Sequence, residues 1–270
     1  MTRKNFLYEA RPLAGLAAGA AVLLDGEEGR HAARVSRIRS GEEILLTDRH
    51  GNQAVAAVTE AGRDHLACSL LSAPASHRYN GPRLILVQAL AKGGRDEQAV
   101  ETATELGVDA ITPWQAQRCV SVWKGSKAAR GREKWQATVD AAVKQSRRGS
   151  IPEVTDAVDS NLLAKQIATR SENGGVTLLL HEEADIPLTR HLVSGAGGDK
   201  LAQASEIAFI VGPEGGVSPQ ETEMFCAAGA LKTLLGCEVL RASTAGPVAL
   251  AVLAAHLGRW EETNTEGDRA

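Results

Sequence analysis

The chain has 270 residues, 43% of them hydrophobic and 23% charged, enough to bury one large core or two smaller ones. A net charge of -3 excludes a global electrostatic attraction to nucleic acid, so any such contact has to come from local charge. The four cysteines, Cys68, Cys119, Cys226 and Cys237, lie far apart with no C-x-x-C pair. That spacing reads as buried thiols in a reducing compartment and argues against zinc.

From the N-terminus, the apolar run "LAGLAAGAAVLL" (13–24) has the composition of a leader. With Glu9 and Arg11 in front of it, and too few residues to span a bilayer, it is expected to belong to the folded protein. "AAVLLDG", "EEILLTDRHGNQAVAAVTEAG" and "HLACSLLSA" read as strands, the middle stretch as a hairpin through "RHGNQ". Such an array predicts a small barrel over residues 1–74. "PASHRYNGP" (74–82) is polar, bounded by prolines, and reads as a linker.

Beyond it, strands alternate with helices. "RLILVQAL" is a buried strand; "RDEQAVETATELG" places Ala99, Val100, Ala103 and Leu106 on one helical face and ends at Gly107. "DAITPW", "VTLLLHEE", "EIAFIVG" and "ALKTLLG" are further strands, and residues 128–148 are mostly helical. The alternation predicts an α/β domain with a parallel sheet covered on both faces, over residues 83–262. No stretch has the length of a membrane span; the most apolar, "VALAVLAAHLGRW" (248–260), has that of a buried helix. Residues 263–270 read as a disordered tail.

Three strand-to-helix loops stand out. In "GPEGGVSPQE", Ser218, Pro219 and Glu221 spell a helix start, which puts Gly212–Gly216 at the carboxyl end of a parallel strand, where open α/β sheets bind ligands. Bare backbone there lets a ligand approach the main chain, yet the loop is neither a P-loop nor a dinucleotide fingerprint. "LLGCEVLRASTAGP" brings Arg241 and Ser243-Thr244-Ala245 to another helix start, and His181 and Glu182 end a third strand. A tight turn alone would also account for the glycines, and a satisfied strand-end histidine for His181.

Together, "VGPEGGVSPQE", "LLGCEVLRASTA", "KGGRDEQAVETATELGVDAITPW", "KQSRRGSIPEV" and the His-x-x-x-Val-x-Arg-x-Arg-x-Gly pattern of residues 31–41 resemble the RsmE family, the 16S ribosomal RNA (uracil-N3)-methyltransferases of the SPOUT class. The resemblance runs from Phe6 to about Trp260, with one departure: Thr102 stands where many relatives carry a lysine. It implies a SPOUT domain whose parallel sheet ends in a trefoil knot, and an N-terminal PUA-like barrel that helps hold RNA. It further implies a cytoplasmic homodimer, with no membrane or metal partner, acting on 16S rRNA or the small ribosomal subunit. S-adenosylmethionine would be bound in the knot by Leu180, His181 and Glu182, by Gly212, Pro213, Glu214, Gly215 and Gly216, and by Leu235, Gly236, Leu240, Ser243, Thr244 and Ala245. Glu214 would either bond the cofactor or brace its loop.

Removing the N3 proton of uracil leaves an imide anion, which a nearby cation favours; Arg241 is the candidate catalytic residue. For RNA, nine Lys/Arg against two acids lie between Arg118 and Arg148, and a second cluster surrounds His31. The candidate RNA-binding residues are Arg30, His31, Arg34, Arg37, Arg39, Lys92, Arg95, Arg118, Lys144, Arg147 and Arg148. Two readings compete with uracil N3: methylation of a ribose 2′-hydroxyl or another base, and a non-catalytic assembly factor.

Overall fold

The computed structural model describes residues 3–77, 79–193 and 198–261; the expected tail at 263–270 lies outside them. The chain forms two units, residues 1–78 with 140–151, and residues 79–139 with 152–270.

The first unit carries β1 (Lys4–Leu7), β2 (Ala21–Leu24), the short helix α1 (Gly26–Arg30), β3 (Glu43–Thr47), β4 (Asn52–Ala61), β5 (Leu66–Leu70) and β6 (Ala75–Ser76). A π-helical turn, His31–Val35, prolongs α1. The strands run in the order β1-β3-β4-β5-β2, with β6 on β4. The expected hairpin is β3–β4, antiparallel in the register Leu45↔Val55. Period-two alternation points Ala54, Ala56 and Val58 of β4, and Leu66, Cys68 and Leu70 of β5, into one core with Phe6, Ile44 and Leu46. Burial pushes the Cys68 thiol up to about 11, so it packs as a small apolar side chain. Asp48 at the hairpin turn is buried, yet its carboxylate accepts from the main-chain N–H of Leu13, His50 and Asn52.

Two features depart from the sequence reading. Ala75 and Ser76, expected in a linker, pair with Gln53 and Asn52 as β6. Residues 140–151 belong with the first unit because Asn5 donates to the carbonyls of Val143 and Arg148, and Gln53 to that of Arg147.

The second unit carries β7 (Arg83–Ala89), α2 (Arg95–Leu106), β8 (Ala110–Gln115), α3 (Ser126–Ser146, its last turns in the first unit), β9 (Glu153–Val154), β10 (Val158–Asp159), α4 (Ser160–Glu172), β11 (Val176–Leu180), α5 (Leu188–His191), α6 (Gly198–Ala202), β12 (Glu206–Val211), α7 (Pro219–Ala227), β13 (Leu231–Thr233) and α8 (Ala242–His256). All its strand pairs are parallel, in the order β10-β8-β7-β12-β11-β13, with β9 also on β8. Ile85, Val87 and Ala89 of β7 pack with Leu163 and Ile167 of α4 and Phe225 of α7. Leu86 points to the other face, where a Cβ on Gly246 of α8 would lie only 2.9 Å from its Cδ1. Both faces are therefore covered, which is why these strands read as continuous apolar runs.

α8 begins at Ala242, six residues before the apolar run at 248–260, and takes Pro247 inside it. At its far end Arg259 bonds the carbonyls of Gly107 and Pro82 and the Asp109 carboxylate (2.6 Å), and lies 4.4 Å from the Tyr79 ring centroid. Among the described residues, no helix is long and apolar enough to cross a membrane, and no group of three His, Cys, Asp or Glu is placed to hold a metal.

Candidate functional site

Three neighbouring strands, β12, β11 and β13, end on the same edge of the second unit. The loops that leave them close on one cleft of about 810 Å³. β13 is held from both sides. His181 N–H donates to the Thr233 carbonyl on the β11 side; on the other, Leu188 N–H donates to the Leu234 carbonyl and Leu234 N–H to that of Ile186. The loop between β11 and α5 thus wraps the end of β13, and the next residues, 234–241, cross the cleft to reach α8.

The loop after β12 is fixed by its side chains. Ser218 caps α7: its hydroxyl accepts from Glu221 N–H, and Ser218 N–H donates to the Glu221 carboxylate, the capping box expected from the spacing. The same carboxylate, 3% exposed, also accepts from Gln117 N–H (2.7 Å), Ser160 Oγ (2.6 Å) and Ser218 Oγ (2.9 Å). Glu221 therefore ties the glycine loop to the chain beyond β8 and to the start of α4. The sequence marks it only as a helix-start residue, because both distant partners come from other elements.

Glu214 accepts from Lys92 N–H (3.0 Å) and from Arg95 (3.3 Å). Burial raises its carboxyl, but the Lys92 bond and the Arg95 charge outweigh that and hold it below the usual range. Arg118 Nη1 donates to the Gly215 carbonyl, and a Cβ on Gly215 would stand 3.2 Å from the Arg118 Cβ. Gly216 has φ of +71°, which favours glycine. The torsion is thus needed at Gly216 and the close approach at Gly215.

His181 lines the cleft, and its Nδ1 accepts from Glu183 N–H (3.1 Å), which leaves the proton on Nε2 of the neutral ring. Burial first, and then the Lys232 charge, hold it below its ordinary value. Arg241 is the N-cap of α8: its carbonyl accepts from Thr244 and Ala245 N–H, while its exposed guanidinium has no partner among the described residues. A cation at the cleft with no ion pair is free to meet an anion.

Of the expected cofactor residues, Leu180, His181, Glu182, Gly212–Gly216, Leu235, Gly236, Leu240 and Ala245 line the cleft, as does Arg241. Ser243 and Thr244 lie in the first turn of α8 outside that lining, Ser243 buried and Thr244 exposed. Arg95 and Arg118, expected on an RNA surface, line it too, and Lys92 offers its main-chain N–H to Glu214. Lys232, Cys237, Glu223 and Glu238 also line it; the last three are neither glycine nor cation, and Lys232 lies inside a strand and not in a loop, so the sequence reading passes over all four.

The remaining expected RNA residues lie in the first unit. Arg30 and Arg34 line an open hollow, with Arg34 paired to Asp64 at 2.6 Å. His31 packs edge-on to Phe6, Arg37 and Arg147 take positive φ, and Arg39 N–H donates to Glu42. Lys144 pairs with Glu28 at 2.6 Å, and Arg148 donates to Ser150.

A family model described as an RNA methyltransferase domain matches residues 79–254, and one described as an RNA methyltransferase PUA domain matches residues 24–71. The chain is 40% identical to the ribosomal RNA small subunit methyltransferase E of Mycobacterium bovis, over 92% of this chain and 91% of that one. It is 27% identical to the protein of the same name from Bacillus subtilis, over 85% and 88%. The structure of a ribosomal RNA small subunit methyltransferase E from Neisseria gonorrhoeae bound to S-adenosyl methionine superposes with a TM-score of 0.79 at 25% identity, covering 94% of this chain and 98% of that one.

Proposed function

Because the chain belongs to the ribosomal RNA small subunit methyltransferase E family, of the SPOUT fold class, we propose that it methylates N3 of one uridine in 16S ribosomal RNA, with S-adenosylmethionine as donor. The observation that carries this reading is the convergence of three strand-end loops and an unpaired arginine on one cleft. The chain path favours the trefoil knot, since β13 is enclosed by β11 and residues 186–188 before residues 234–241 run on to α8.

The lining suits the cofactor. Leu180, Val211, Leu234 and Leu240 offer apolar wall to a flat ring, Gly212 and Gly215 bare main chain to its edge, and Glu182, Glu183 and Glu238 negative charge to a cationic sulphur. Glu214 is already engaged with Lys92 and Arg95, so it braces the loop. When bound, S-adenosylmethionine supplies an activated methyl group on a sulfonium, so the protein's task is mainly alignment. Arg241 stabilises the anion left when uracil loses its N3 proton. Arg95 and Arg118 hold phosphates of the bound strand, and Arg37, Arg39 and Arg147 of the first unit contact phosphates in their own right.

The protein works as a homodimer, since Val239 at the cleft is 74% exposed and Val248 on α8 is exposed, apolar surface that a second copy would cover; a ribosomal RNA substrate places its work in the cytoplasm. The test is nucleoside mass spectrometry of ribosomal RNA from a strain lacking the protein. N3-methyluridine should vanish from the small-subunit RNA and return with the wild-type gene. Loss of a 2′-O-methyl nucleoside or of another methylated base would assign the competing chemistry, and an unchanged profile the assembly factor.

A further inference from the structure

The first unit holds a second concavity, an open hollow of about 660 Å³ lined by Leu23, Asp25, Arg30, Arg34, Asp64 and His65. Arg30 and Arg34 stand four residues apart on one face of the helical stretch that follows β2. Arg34 is anchored by Asp64, so its guanidinium is held in place. Asp25 is the N-cap of α1, yet its side chain caps nothing and has no partner among the described residues; neither has Arg30. The His65 ring lies so close over Gly62 that a Cβ there would come within 2.3 Å of it. A bare glycine thus backs an imidazole that lines the hollow.

The chemistry of this lining is selective. Asp64 already neutralises Arg34, and Asp25 sets a second carboxylate beside Arg30, so the lining offers no excess positive charge to draw a bare phosphate. A flat ring, a free acceptor pair and a free guanidinium instead fit a planar ligand with donors and acceptors on adjacent edges. Guanine alone among the RNA bases presents two adjacent donors, N1–H and N2–H, to a carboxylate, and its O6 and N7 accept from an arginine. We propose that this hollow receives one unstacked guanine of the substrate RNA, stacked on His65, with its Watson–Crick edge on Asp25 and its O6/N7 edge on Arg30. Single-stranded bases are read in this way, on an aromatic platform with hydrogen bonds to exposed edges. Asp25, Arg30 and His65 all fall within the stretch that matches the PUA model, residues 24–71, and the proposal rests on the reading that this unit holds RNA.

The test uses the full-length protein and fluorescently labelled uridine-rich pentaribonucleotides carrying guanosine, inosine or adenosine at the centre. The guanosine oligomer should bind about tenfold tighter than the adenosine one, as a bidentate base contact would give. Inosine, which lacks the N2 amino group, should fall between. Amide NMR shifts on binding guanosine should centre on Asp25, Arg30 and His65. Asp25→Asn should shrink the guanosine-over-adenosine preference, since a carboxamide no longer offers two acceptors to N1–H and N2–H, while His65→Ala should weaken every oligomer alike. Equal affinity for the wild-type protein across the three oligomers, or shifts centred elsewhere, overturns the proposal, and the wild-type series needs no variant. Methyl transfer to small-subunit RNA is measured in parallel. Intact transfer with no base preference defeats the guanine site alone; absence of both transfer and RNA binding defeats the reading beneath it.

Discussion

Arg241, Glu221 and His181 present three different properties: an unpaired charge, a fully engaged one, and a ring whose protonation burial disfavours. If Arg241 stabilises the uracil anion, Arg241→Ala should raise the methyl-transfer barrier by about 2–4 kcal/mol, the effect of losing one preorganised donor. Lysine should restore only part of the rate, because it offers a point charge in place of a planar fork. Single-turnover rates with cofactor bound should carry the loss; a full rate with weakened RNA binding would make Arg241 a phosphate contact. Glu221→Gln puts an amide N–H₂ among four donors, and urea unfolding should show a loss of about 2–3 kcal/mol with weakened cofactor binding. A wild-type unfolding midpoint would show that Glu221 does not hold the loop. His181 titrates below its ordinary value of 6.5, so between the two values the unfolded chain binds more protons than the folded one. Its contribution to stability is complete above pH 6.5 and is lost as pH falls from there to the lowered value. Because a protonated ring cannot accept from Glu183 N–H, cofactor affinity should fall as pH drops through the lowered value. An NMR titration placing His181 at or above 6.5 would refute this.

At the scale of elements, the start of α8 depends on how closely it can approach the sheet. The missing side chain at Gly246 lets the helix lie on Leu86 and Val211, where a Cβ would stand 2.9 and 3.3 Å away. Gly246→Val should cost about 1–3 kcal/mol by overpacking and displace Ala242 and Ala245 from the cleft. Thermal unfolding and cofactor titration should both register the change; a variant matching the wild type in both would mean the helix can shift without disturbing the site. Elements whose determinants are local were legible in the sequence. The β3–β4 hairpin follows from two apolar runs flanking "RHGNQ", α2 from a 3.6-residue period closed by Gly107, and the α7 start from Ser218, Pro219 and Glu221. Elements defined by distant partners were not. β1 has four residues and exists through parallel pairing with β3, forty positions on; β9 and β10 have two residues each and exist only against β8.

At the scale of the molecule, the same distinction separates the site's residues from its organisation. The glycine loop, His181 and Arg241 could be picked out because bare backbone and lone charges at strand ends are unusual, and the family resemblance ordered them. The return of residues 140–151 to the first unit, the wrap of residues 181–188 around β13 and the burial of Glu221 depend on contacts between positions far apart in the chain. Such contacts leave no periodic trace. Arg95 and Arg118 show the difference directly, since their charge suggested an RNA surface and only the fold places them at the cleft.

The most direct test of uracil N3 methylation by this protein is methyl transfer by the purified chain from isotopically labelled S-adenosylmethionine to small-subunit ribosomal RNA, followed by nuclease digestion and mass spectrometry of the nucleosides. Label is expected in N3-methyluridine, at a single position and at no more than one methyl per RNA, with Arg241→Ala lowering the rate and not the choice of position. Label in a ribose, in another base, or in no nucleoside would contradict that assignment.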